Sequence, residues 1–259
     1  MNALSGSELA EKIVEKARSL GASVAGVADT DALKASPSHR IYPKIGMNLG
    51  VKPREVAWPA DAVSAVVIGV EHGADEPELD WWDGREGTPG NRILMRISGG
   101  LSEWIENAFS IRTYKLPYHV EKGGIFLKDA AVMAGLGCIG RNNLVVTPEY
   151  GPRIRFRAIL LDRETKAAGP VEFNPCEDCK QPCRKACPQD AFQNTVCSAD
   201  EPGLSVLPGI RGTFDRVACN VRMQKDIDEG IMVKPEGDEE PYKCIRYCRL
   251  CELACPVGN

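Results

Sequence analysis

Two cysteine-rich stretches decide the fold of this protein: CEDCKQPCRKACP at residues 176–188 and CIRYCRLCELACP at residues 244–256. The first has the spacing C-x2-C-x3-C-x3-C-P, and the second ends in C-x2-C-x3-C-P after one further cysteine at its start. Ten of the eleven cysteines in the 259-residue chain lie after residue 175. The chain therefore has a cysteine-poor first part and a cysteine-rich second part.

Cysteine runs of this spacing that end in proline are typical of proteins that hold two [4Fe-4S] clusters. Three cysteines of a run bind one cluster, and the fourth, before the proline, binds the other cluster. The spacer before the last cysteine is expected to begin a helix that carries it to the neighbouring cluster. Tetrathiolate zinc also uses C-x2-C pairs, but two runs that each end in Cys-Pro favour iron–sulfur. Nothing indicates secretion, so disulfides are not expected.

The spacing alone leaves the eighth ligand open. A contiguous assignment combines Cys244, Cys248 and Cys251 with Cys187, although its opening x3 spacing is unusual for a chelating pair. Cys219, in FDRVACNVRMQKD, is the competing ligand. The remaining cysteines, Cys138 and Cys197, are interpreted as small buried apolar side chains, which is the usual state of free cysteine.

Hydrophobic periodicity predicts mixed helix and sheet in the first part. Residues 8–20 place apolar side chains on one helical face before Gly21, and 23–29 and 64–70 have the composition of buried strands. Residues 71–92 are polar and rich in Gly and Pro, which predicts a loop. Residues 153–161 alternate arginine with apolar residues, so a half-buried strand with a solvated arginine face is expected. We divide the chain at residue 168, into domains 1–168 and 169–259.

Composition and charge limit the classes of function. The formal net charge is -4 and the sequence pI is about 5.6, which weakly disfavours a nucleic-acid partner. The N-terminal residues contain no continuous apolar core, and no apolar run approaches the roughly 18 residues that a membrane span needs. A cytoplasmic protein without membrane contact is expected.

The segment AGLGCIGRNN, residues 134–143, contains a literal G-x-G-x-x-G. A dinucleotide fingerprint must leave a strand and open a helix. Here the order is reversed, because GIFLKDAAVMA is helical in pattern and NLVVT afterwards is a strand. Gly135 is therefore predicted to end a helix. Gly137 and Gly140 are predicted to allow close approach of the backbone to a flat, bulky group.

Over nearly its whole length the chain resembles the epoxyqueuosine reductase family and the related corrinoid-dependent reductive dehalogenases. The resemblance is carried by KARSLGASVAGVAD, AVSAVVIGVEH, KDAAVMAGLGCIGRNNLVV, CEDCKQPCRKACPQDAF, FDRVACNVRMQKD and YCRLCELACPVGN. It implies an α+β fold, in which a nitroreductase-like domain binds cobalamin base-off. A small ferredoxin-like 2[4Fe-4S] domain follows and delivers electrons to the cobalt.

The resemblance also implies roles for individual residues. One cluster would be held by Cys176, Cys179, Cys183 and Cys255, and the other by Cys187, Cys219, Cys248 and Cys251. The residues expected to contact the corrinoid are Gly137, Cys138, Ile139, Gly140, Arg141, Asn142 and Asn220. The family usually has tryptophan where Cys138 stands. Its catalytic carboxylate lies thirteen residues before Ala134, a position held here by Glu121 in place of the usual aspartate.

The predicted function is that of a cobalamin-dependent iron–sulfur reductase acting on a small molecule. The alternative is an electron-transfer protein that reductively activates the corrinoid of a partner protein. Either function would require an external low-potential electron donor of the ferredoxin or flavodoxin type. A tRNA substrate is not expected, because the chain ends three residues after Pro256 and its acidic charge gives no advantage in binding a polyanion.

Overall fold

The computed structural model of the protein describes residues 4–40, 55–85, 87–195, 212–234, 237 and 240–258. Its helices are α1 Gly6–Ser19, α2 Thr30–Lys34, α3 Pro89–Phe109, α4 Leu127–Met133, α5 Pro182–Lys185, α6 Arg216–Asp228 and α7 Leu250–Leu253. Its strands are β1 Val24–Asp29, β2 Ser64–Glu71, β3 Trp81–Trp82, β4 Thr113–Lys115, β5 Cys138–Ile139, β6 Val145–Val146, β7 Ile154–Leu161, β8 Ile231–Val233 and β9 Tyr242–Arg246. Two 3-10 segments cover Pro77–Asp80 and Val120–Lys122.

The central layer is a four-stranded antiparallel sheet in the order β1-β2-β7-β4. Strand β2 lies inside this sheet and is buried along its first seven residues. Successive side chains of a strand point to opposite faces. Val66 and Ile68 belong to the apolar cluster on one face, and Ala65 and Val67 belong to the cluster on the other. Both faces of the sheet are therefore covered.

Helices α1 and α3 cover one face of the sheet. Helix α1 begins with a capping box between Ser5 and Glu8, which satisfies backbone N–H groups at the helix start. Its buried residues Leu9, Ile13 and Ala17 recur at the helical period, as the sequence predicts. Gly21 has a φ of 104°, a left-handed conformation that favours glycine and ends the helix as predicted.

Helix α4 covers the other face and leads into the glycine segment. The predicted helix-to-strand order is confirmed, because α4 ends at Met133 and β5 follows from Cys138. Gly135 has a φ of 73°, which confirms the predicted helix stop. A Cβ at Gly137 would lie 2.2 Å from the carbonyl oxygen of Val146, so only glycine fits beside the β5–β6 pair.

Strands from both predicted domains share a second sheet, in the order β3-β9-β8. Trp81 pairs with Arg246 and Trp82 with Ile245, so the segment predicted as a loop contributes a short strand to the cysteine-rich part. The Arg246 guanidinium also lies over the Trp81 ring at 4.1 Å from its centroid. The mixture of helices and sheets confirms the α+β class, while the division at residue 168 remains a prediction.

A buried charge network joins the central sheet to the C-terminal cysteine segment. Asp80 accepts hydrogen bonds from His72 (2.9 Å) and Arg155 (2.9 and 3.0 Å), and the Arg249 side chain lies 3.1 Å from its carboxylate. Arg155 also donates to Glu252 at 2.7 Å. Burial alone would raise the pKa of Asp80, but the His72 hydrogen bond and the two arginine charges lower it. Two arginines thus balance two carboxylates.

The arginine face of β7 is not solvated, so that expectation is wrong. Arg153 is 4% exposed and donates to the carbonyl oxygens of Cys255 (3.3 Å) and Val257 (2.7 Å). Arg155 is committed to the charge network, and Arg157 contacts Asn91. The reason is that the C-terminal cysteine segment packs against this edge of the sheet, a contact that strand periodicity does not report.

Within the described residues, no helix combines the length and the apolar character that crossing a bilayer would require.

Arg155→Met should destabilise the fold, because Asp80 and Glu252 would then share only Arg249 in a buried site. We expect a loss of about 3 kcal/mol, at the lower end of the range for breaking a buried ion pair. Urea unfolding under anaerobic conditions measures it. Arg157→Met, on the same strand face, is the matched control and should cost less than about 1.5 kcal/mol. Equal losses in the two variants would contradict a special role for the network.

Candidate metal and cofactor site

Two short helices of the cysteine-rich part carry cysteines in matching positions. Helix α5 contains Cys183, and Cys187 follows two residues after its last residue. Helix α7 contains Cys251, and Cys255 follows two residues after its last residue. The two helices pack against each other. The spacer before each Cys-Pro is therefore helical, as the spacing predicts.

One group of sulfurs forms where the last cysteine of the second run meets the first run. Burial raises the pKa of the Cys183 thiol, and the nearby Cys255, Cys176 and Cys179 raise it further. Burial also raises the pKa of the Cys255 thiol, and Cys176 and Cys179 raise it further. The Val257 backbone N–H and Arg153 lower it. These four sulfurs are therefore electrostatic neighbours.

A second group forms around the last cysteine of the first run. Burial raises the pKa of Cys251 to about 12, helped by Cys248, Cys219 and Cys187. Burial likewise raises the pKa of Cys219, and the neighbouring Cys187 and Cys248 raise it further. The runs thus exchange their last members, because Cys187 joins the second group and Cys255 joins the first.

Backbone and carboxylate groups fix the loops that carry these cysteines. The backbone N–H of Gln181 donates to the sulfur of Cys179, and that of Ala191 donates to the sulfur of Cys187, each at 3.4 Å. Asp226, which is 4% exposed, accepts from the backbone N–H of Cys248 at 2.9 Å. Hydrogen bonds to metal-bound sulfur stabilise its negative charge, and outer contacts of this kind orient ligands.

The donor chemistry of both groups suits iron–sulfur clusters. All cysteines among the described residues are free thiols. Within those residues, no three His, Cys, Asp or Glu side chains converge closely enough to hold a single ion. The four ligands of a cubane bind four different irons, so their sulfurs are spread more widely than those around one zinc. The raised pKa values disfavour the thiolate forms in the chain alone, and a positive centre between the sulfurs would favour them. The assignment of ligands nevertheless remains a prediction.

The cysteines outside these groups have other surroundings. Cys244 is buried in strand β9, where it pairs with Ile231 across the ladder. Cys138 is half-buried in strand β5 opposite Val146. Cys197 lies outside the described residues.

The glycine segment lies between the central sheet and both sulfur groups. A Cβ at Gly140 would lie 3.6 Å from the Cys176 sulfur and 2.6 Å from a methyl group of Val146. The side-chain amide of Asn142 donates to the carbonyl oxygen of Cys251 at 3.4 Å. The close approach predicted for Gly137 and Gly140 is therefore to the protein itself, because β6 and the first cysteine run occupy the space beside them.

The residues expected to contact a corrinoid differ in their exposure. Four of the seven are buried: Gly137, Ile139, Gly140 and Asn142. The other three are half-buried: Cys138, Arg141 and Asn220. On helix α6, Asn220 stands between Val217 and Val221, whose side chains are 54% and 57% exposed. This helix therefore offers an apolar surface with an amide beside it, which suits a flat macrocycle that carries amide groups.

Glu121 lies in the 3-10 segment Val120–Lys122, and the structure describes its backbone. The turn is closed by backbone hydrogen bonds from Lys122 and Gly124 to the carbonyl oxygen of His119, both at 3.0 Å. A Cβ at Gly124 would lie 2.2 Å from the carbonyl oxygen of Pro117, so glycine is needed where the turn closes. The predicted acid thus stands on a tightly closed turn.

A buried hydrogen-bond chain anchors the segment that follows this turn. Phe126 donates its backbone N–H to Nε2 of His39 at 3.3 Å, so the ring proton lies on Nδ1, which faces the Ser36 hydroxyl at 2.9 Å. Ser36 donates to Asp129 at 2.7 Å, and Ser38 adds two further hydrogen bonds to that carboxylate. Burial lowers the pKa of His39 to about 4. The imidazole is therefore neutral near pH 7.

Three contact residues of this site have no motif that predicts them: Arg153, Asp226 and Lys128. Arg153 holds the last turn of the chain, and Asp226 holds the Cys248 loop, as described above. The Lys128 ammonium donates to the carbonyl oxygen of Asn143 at 2.8 Å, inside the glycine segment. The alternation of arginine with apolar residues from position 153 was a visible signal for Arg153. Sequence alone gives no signal for Asp226 or Lys128.

This arrangement defines a class, an α+β protein with two interlocked cysteine groups against a glycine segment, and comparison with known proteins shows which proteins the chain is similar to. A tetrachloroethene reductive dehalogenase of Desulfitobacterium hafniense is 27% identical over 219 residues, which cover 72% of this chain and 39% of that protein. An epoxyqueuosine reductase of Lactococcus garvieae is 26% identical over 209 residues, covering 77% of this chain and 53% of that protein. No family model matches.

Solved structures of both kinds share the fold. An epoxyqueuosine reductase in complex with a tRNA-Tyr stem loop superposes with a TM-score of 0.64 at 17% identity, over 97% of this chain and 65% of that one. A catabolic reductive dehalogenase in complex with 3-bromo-4-hydroxybenzoic acid superposes with a TM-score of 0.64 at 20% identity, over 100% of this chain and 33% of that one.

The chain is similar to epoxyqueuosine reductases and to reductive dehalogenases, which confirms the resemblance seen in the sequence. Its relatives of both kinds are named reductases, which supports an oxidoreductase. The chain spans about two fifths of the length of the matched dehalogenase and about half of that of the matched epoxyqueuosine reductase.

The expectation that tRNA is not a partner is wrong. An epoxyqueuosine reductase of this fold has been solved with a tRNA stem loop, and a relative in sequence has the same name. The physical reason is that a net charge sums over the whole surface, whereas binding of a polyanion depends on the local distribution of charge. A formal charge of -4 therefore excludes no such partner.

Protonation of His39 should weaken the fold, because the imidazolium would have to donate from Nε2 toward the Phe126 N–H. The folded pKa of about 4 lies below the unfolded value of about 6.5, so this stability is complete above pH 6.5 and is lost as pH falls toward 4. The total loss should be about 3 kcal/mol. Urea unfolding at several pH values measures it. In His39→Gln this pH dependence should flatten, and an unchanged profile would contradict the assignment.

Proposed function

We propose that this protein is a corrinoid-dependent iron–sulfur reductase with two [4Fe-4S] clusters. The observation that carries the proposal is the sorting of eight cysteines into two interlocked groups of four. Cys176, Cys179, Cys183 and Cys255 would hold one cluster, and Cys187, Cys219, Cys248 and Cys251 would hold the other. The names of the relatives support the reductase part of the proposal.

The position of the second sulfur group supports electron transfer toward a bound corrinoid. Cys219 lies on helix α6, and the next residue is Asn220, between the exposed Val217 and Val221. Asn142 of the glycine segment reaches the backbone of Cys251 in the same group. A macrocycle lying on α6 would therefore have this group directly beneath it. A reductive dehalogenase of this fold is described as B12-dependent, which agrees with a corrinoid here.

The protein groups have separate tasks in this proposal. The cysteines would hold the clusters, which supply one-electron carriers, and a bound corrinoid would supply the low-potential reductant for the substrate. The apolar side chains of α6 exclude water from the macrocycle, while Asn220 and Arg141 orient its amides. Glu121 holds a proton and donates it to the reduced substrate, as a general acid next to an apolar ring would.

Iron content distinguishes the two candidate ligands. Anaerobically purified protein should contain about eight irons and about eight sulfides per chain. Cys219→Ser should alter or lose the second cluster, because its sulfur lies among Cys187, Cys248 and Cys251. Cys244→Ser is the matched control, since this cysteine is buried in β9, and it should keep full iron. A full count in Cys219→Ser with loss in Cys244→Ser would reverse the assignment, and four irons in the unchanged protein would remove one cluster.

Titration with cobalamin tests the second half of the proposal. The absorption bands should shift to those of the base-off form, and Asn220→Leu should weaken binding while keeping full iron. Glu121→Gln should keep both the iron and the cobalamin spectrum but reduce turnover at least ~100-fold, with partial recovery in Glu121→Asp. An epoxyqueuosine-containing tRNA stem loop and tetrachloroethene, which the names of the relatives suggest, are the substrates to assay. Full iron without cobalamin binding would contradict a corrinoid cofactor of this chain.

A further inference from the structure

Lys128 is a positive charge that lies beside the glycine segment and the residues that precede helix α6. It lies in the first turn of helix α4, and its side chain is half-buried. The ammonium donates to the carbonyl oxygen of Asn143 at 2.8 Å and lies 5.9 Å from the centroid of the Phe214 ring. A neutral carbonyl and an aromatic face hold this cation in position.

The carboxylate of Asp129, which follows Lys128 in the sequence, accepts its hydrogen bonds from other residues. Asp129 is 1% exposed, and its oxygens accept two hydroxyl hydrogen bonds and one backbone hydrogen bond from Ser36 and Ser38, at 2.6 to 2.9 Å. Within the part of the chain that the structure describes, no carboxylate oxygen lies within 4.0 Å of the Lys128 ammonium. Withdrawing a cation from water without a paired carboxylate costs free energy unless other negative charge lies nearby.

Helix α6 connects this position with the second sulfur group, because Phe214 precedes Asp215, the N-cap of the helix that carries Cys219. Desolvation lowers the pKa of Lys128 to about 8, and the charges of Asp129 and Cys219 act in the opposite direction. The ammonium is therefore still protonated at pH 7. Arg216, at the start of helix α6, is a second cation in the same surroundings and lowers the pKa of Cys219.

We propose that Lys128 sets the reduction potential of the cluster held by Cys187, Cys219, Cys248 and Cys251, as a fixed positive charge that stabilises its reduced state. This inference rests on the proposed function, because it requires a cluster in that group. Adding an electron to a cluster with four thiolate ligands increases its negative charge, and net charge near a cluster is one of the factors that set its potential. Lys128 is thus a positioning charge and has no contact with substrate.

The same lysine links this cluster to the glycine segment. Asn143 has a φ of 58°, a left-handed conformation, and its backbone carbonyl receives the Lys128 hydrogen bond. The neighbouring Asn142 contacts the carbonyl oxygen of Cys251. The charge that tunes the cluster is therefore held by the segment that the corrinoid would contact, so that the two redox centres share one rigid support.

The test is a potentiometric titration of the anaerobic, cluster-loaded protein followed by electron paramagnetic resonance. Lys128→Met should move one of the two cluster transitions to lower potential and leave the other unchanged. The moving transition should be the one that Cys219→Ser alters. Lys128→Arg keeps the charge and should keep the potential close to that of the unchanged protein. Lys115→Met, on the exposed edge strand β4, is the control for loss of one positive charge.

The outcomes separate this inference from the proposed function. If Lys128→Met retains about eight irons and neither transition moves, the role of Lys128 is overturned while the two-cluster proposal stands. Equal movement of both transitions, or a movement of the same size in Lys115→Met, would also overturn it, because a local charge acts mainly on the nearer cluster. Four irons or none in the unchanged protein would instead contradict the proposed function.

Discussion

The structure depends on bringing two groups of four cysteine sulfurs together in places that are partly or wholly withdrawn from water. Burial and neighbouring sulfurs raise the pKa of Cys183, Cys219, Cys251 and Cys255 in the protein chain alone. The thiolate forms are therefore disfavoured in the chain alone and become favourable with a positive centre among them. Iron–sulfur clusters supply such a centre, and a binding free energy of this kind contributes directly to folding.

This constraint explains why the rest of the chain holds the cysteine segments so firmly. Arg153 fixes the carbonyl oxygens of Cys255 and Val257, and Asn142 contacts the carbonyl oxygen of Cys251. Arg155 and Arg249, with Asp80 and Glu252, join the sheet to helix α7 in a balanced network. These contacts cross the boundary proposed at residue 168, and the β3-β9 pairing crosses it as well. The two parts therefore share a sheet and a charge network beside the cysteine groups.

The same contacts give the proposed chemistry its order. The first sulfur group lies where the two cysteine runs meet, and the second lies beside α6 and the glycine segment. In the proposed function the two groups would hold clusters that supply one-electron carriers, the residues of α6 would hold a corrinoid, and Glu121 would act from a closed turn in the preceding part. The proposed role of Lys128 agrees with this order, since a cation held by the glycine segment would act on the cluster nearest to it. The family relationship is consistent with this order, while the substrate is a matter for the assays.

The sequence by itself determined the elements whose signals are local. Apolar periodicity located α1 and the strands β1, β2 and β7, and the order of helix, glycine and strand showed that Gly135 ends a helix. The cysteine spacing indicated two clusters with helical spacers, because ligands a few residues apart are constrained by the backbone between them. The similarity of whole motifs supplied the resemblance to epoxyqueuosine reductases and reductive dehalogenases. Much of the fold and most of the candidate ligands could therefore be predicted.

Only the tertiary structure decided which distant groups meet. It placed Cys219 with Cys187, Cys248 and Cys251, whereas Cys244 lies in the β9 ladder, a difference that the spacing left open. It brought Arg153 and Arg155, which the period-two pattern had assigned to solvent, into hydrogen bonds with a C-terminal segment about one hundred residues away. It also filled the space beside Gly137 and Gly140 with β6 and Cys176. The physical reason is common to all three: periodicity and spacing report the geometry of neighbouring residues, while contacts between remote segments follow from how the elements pack.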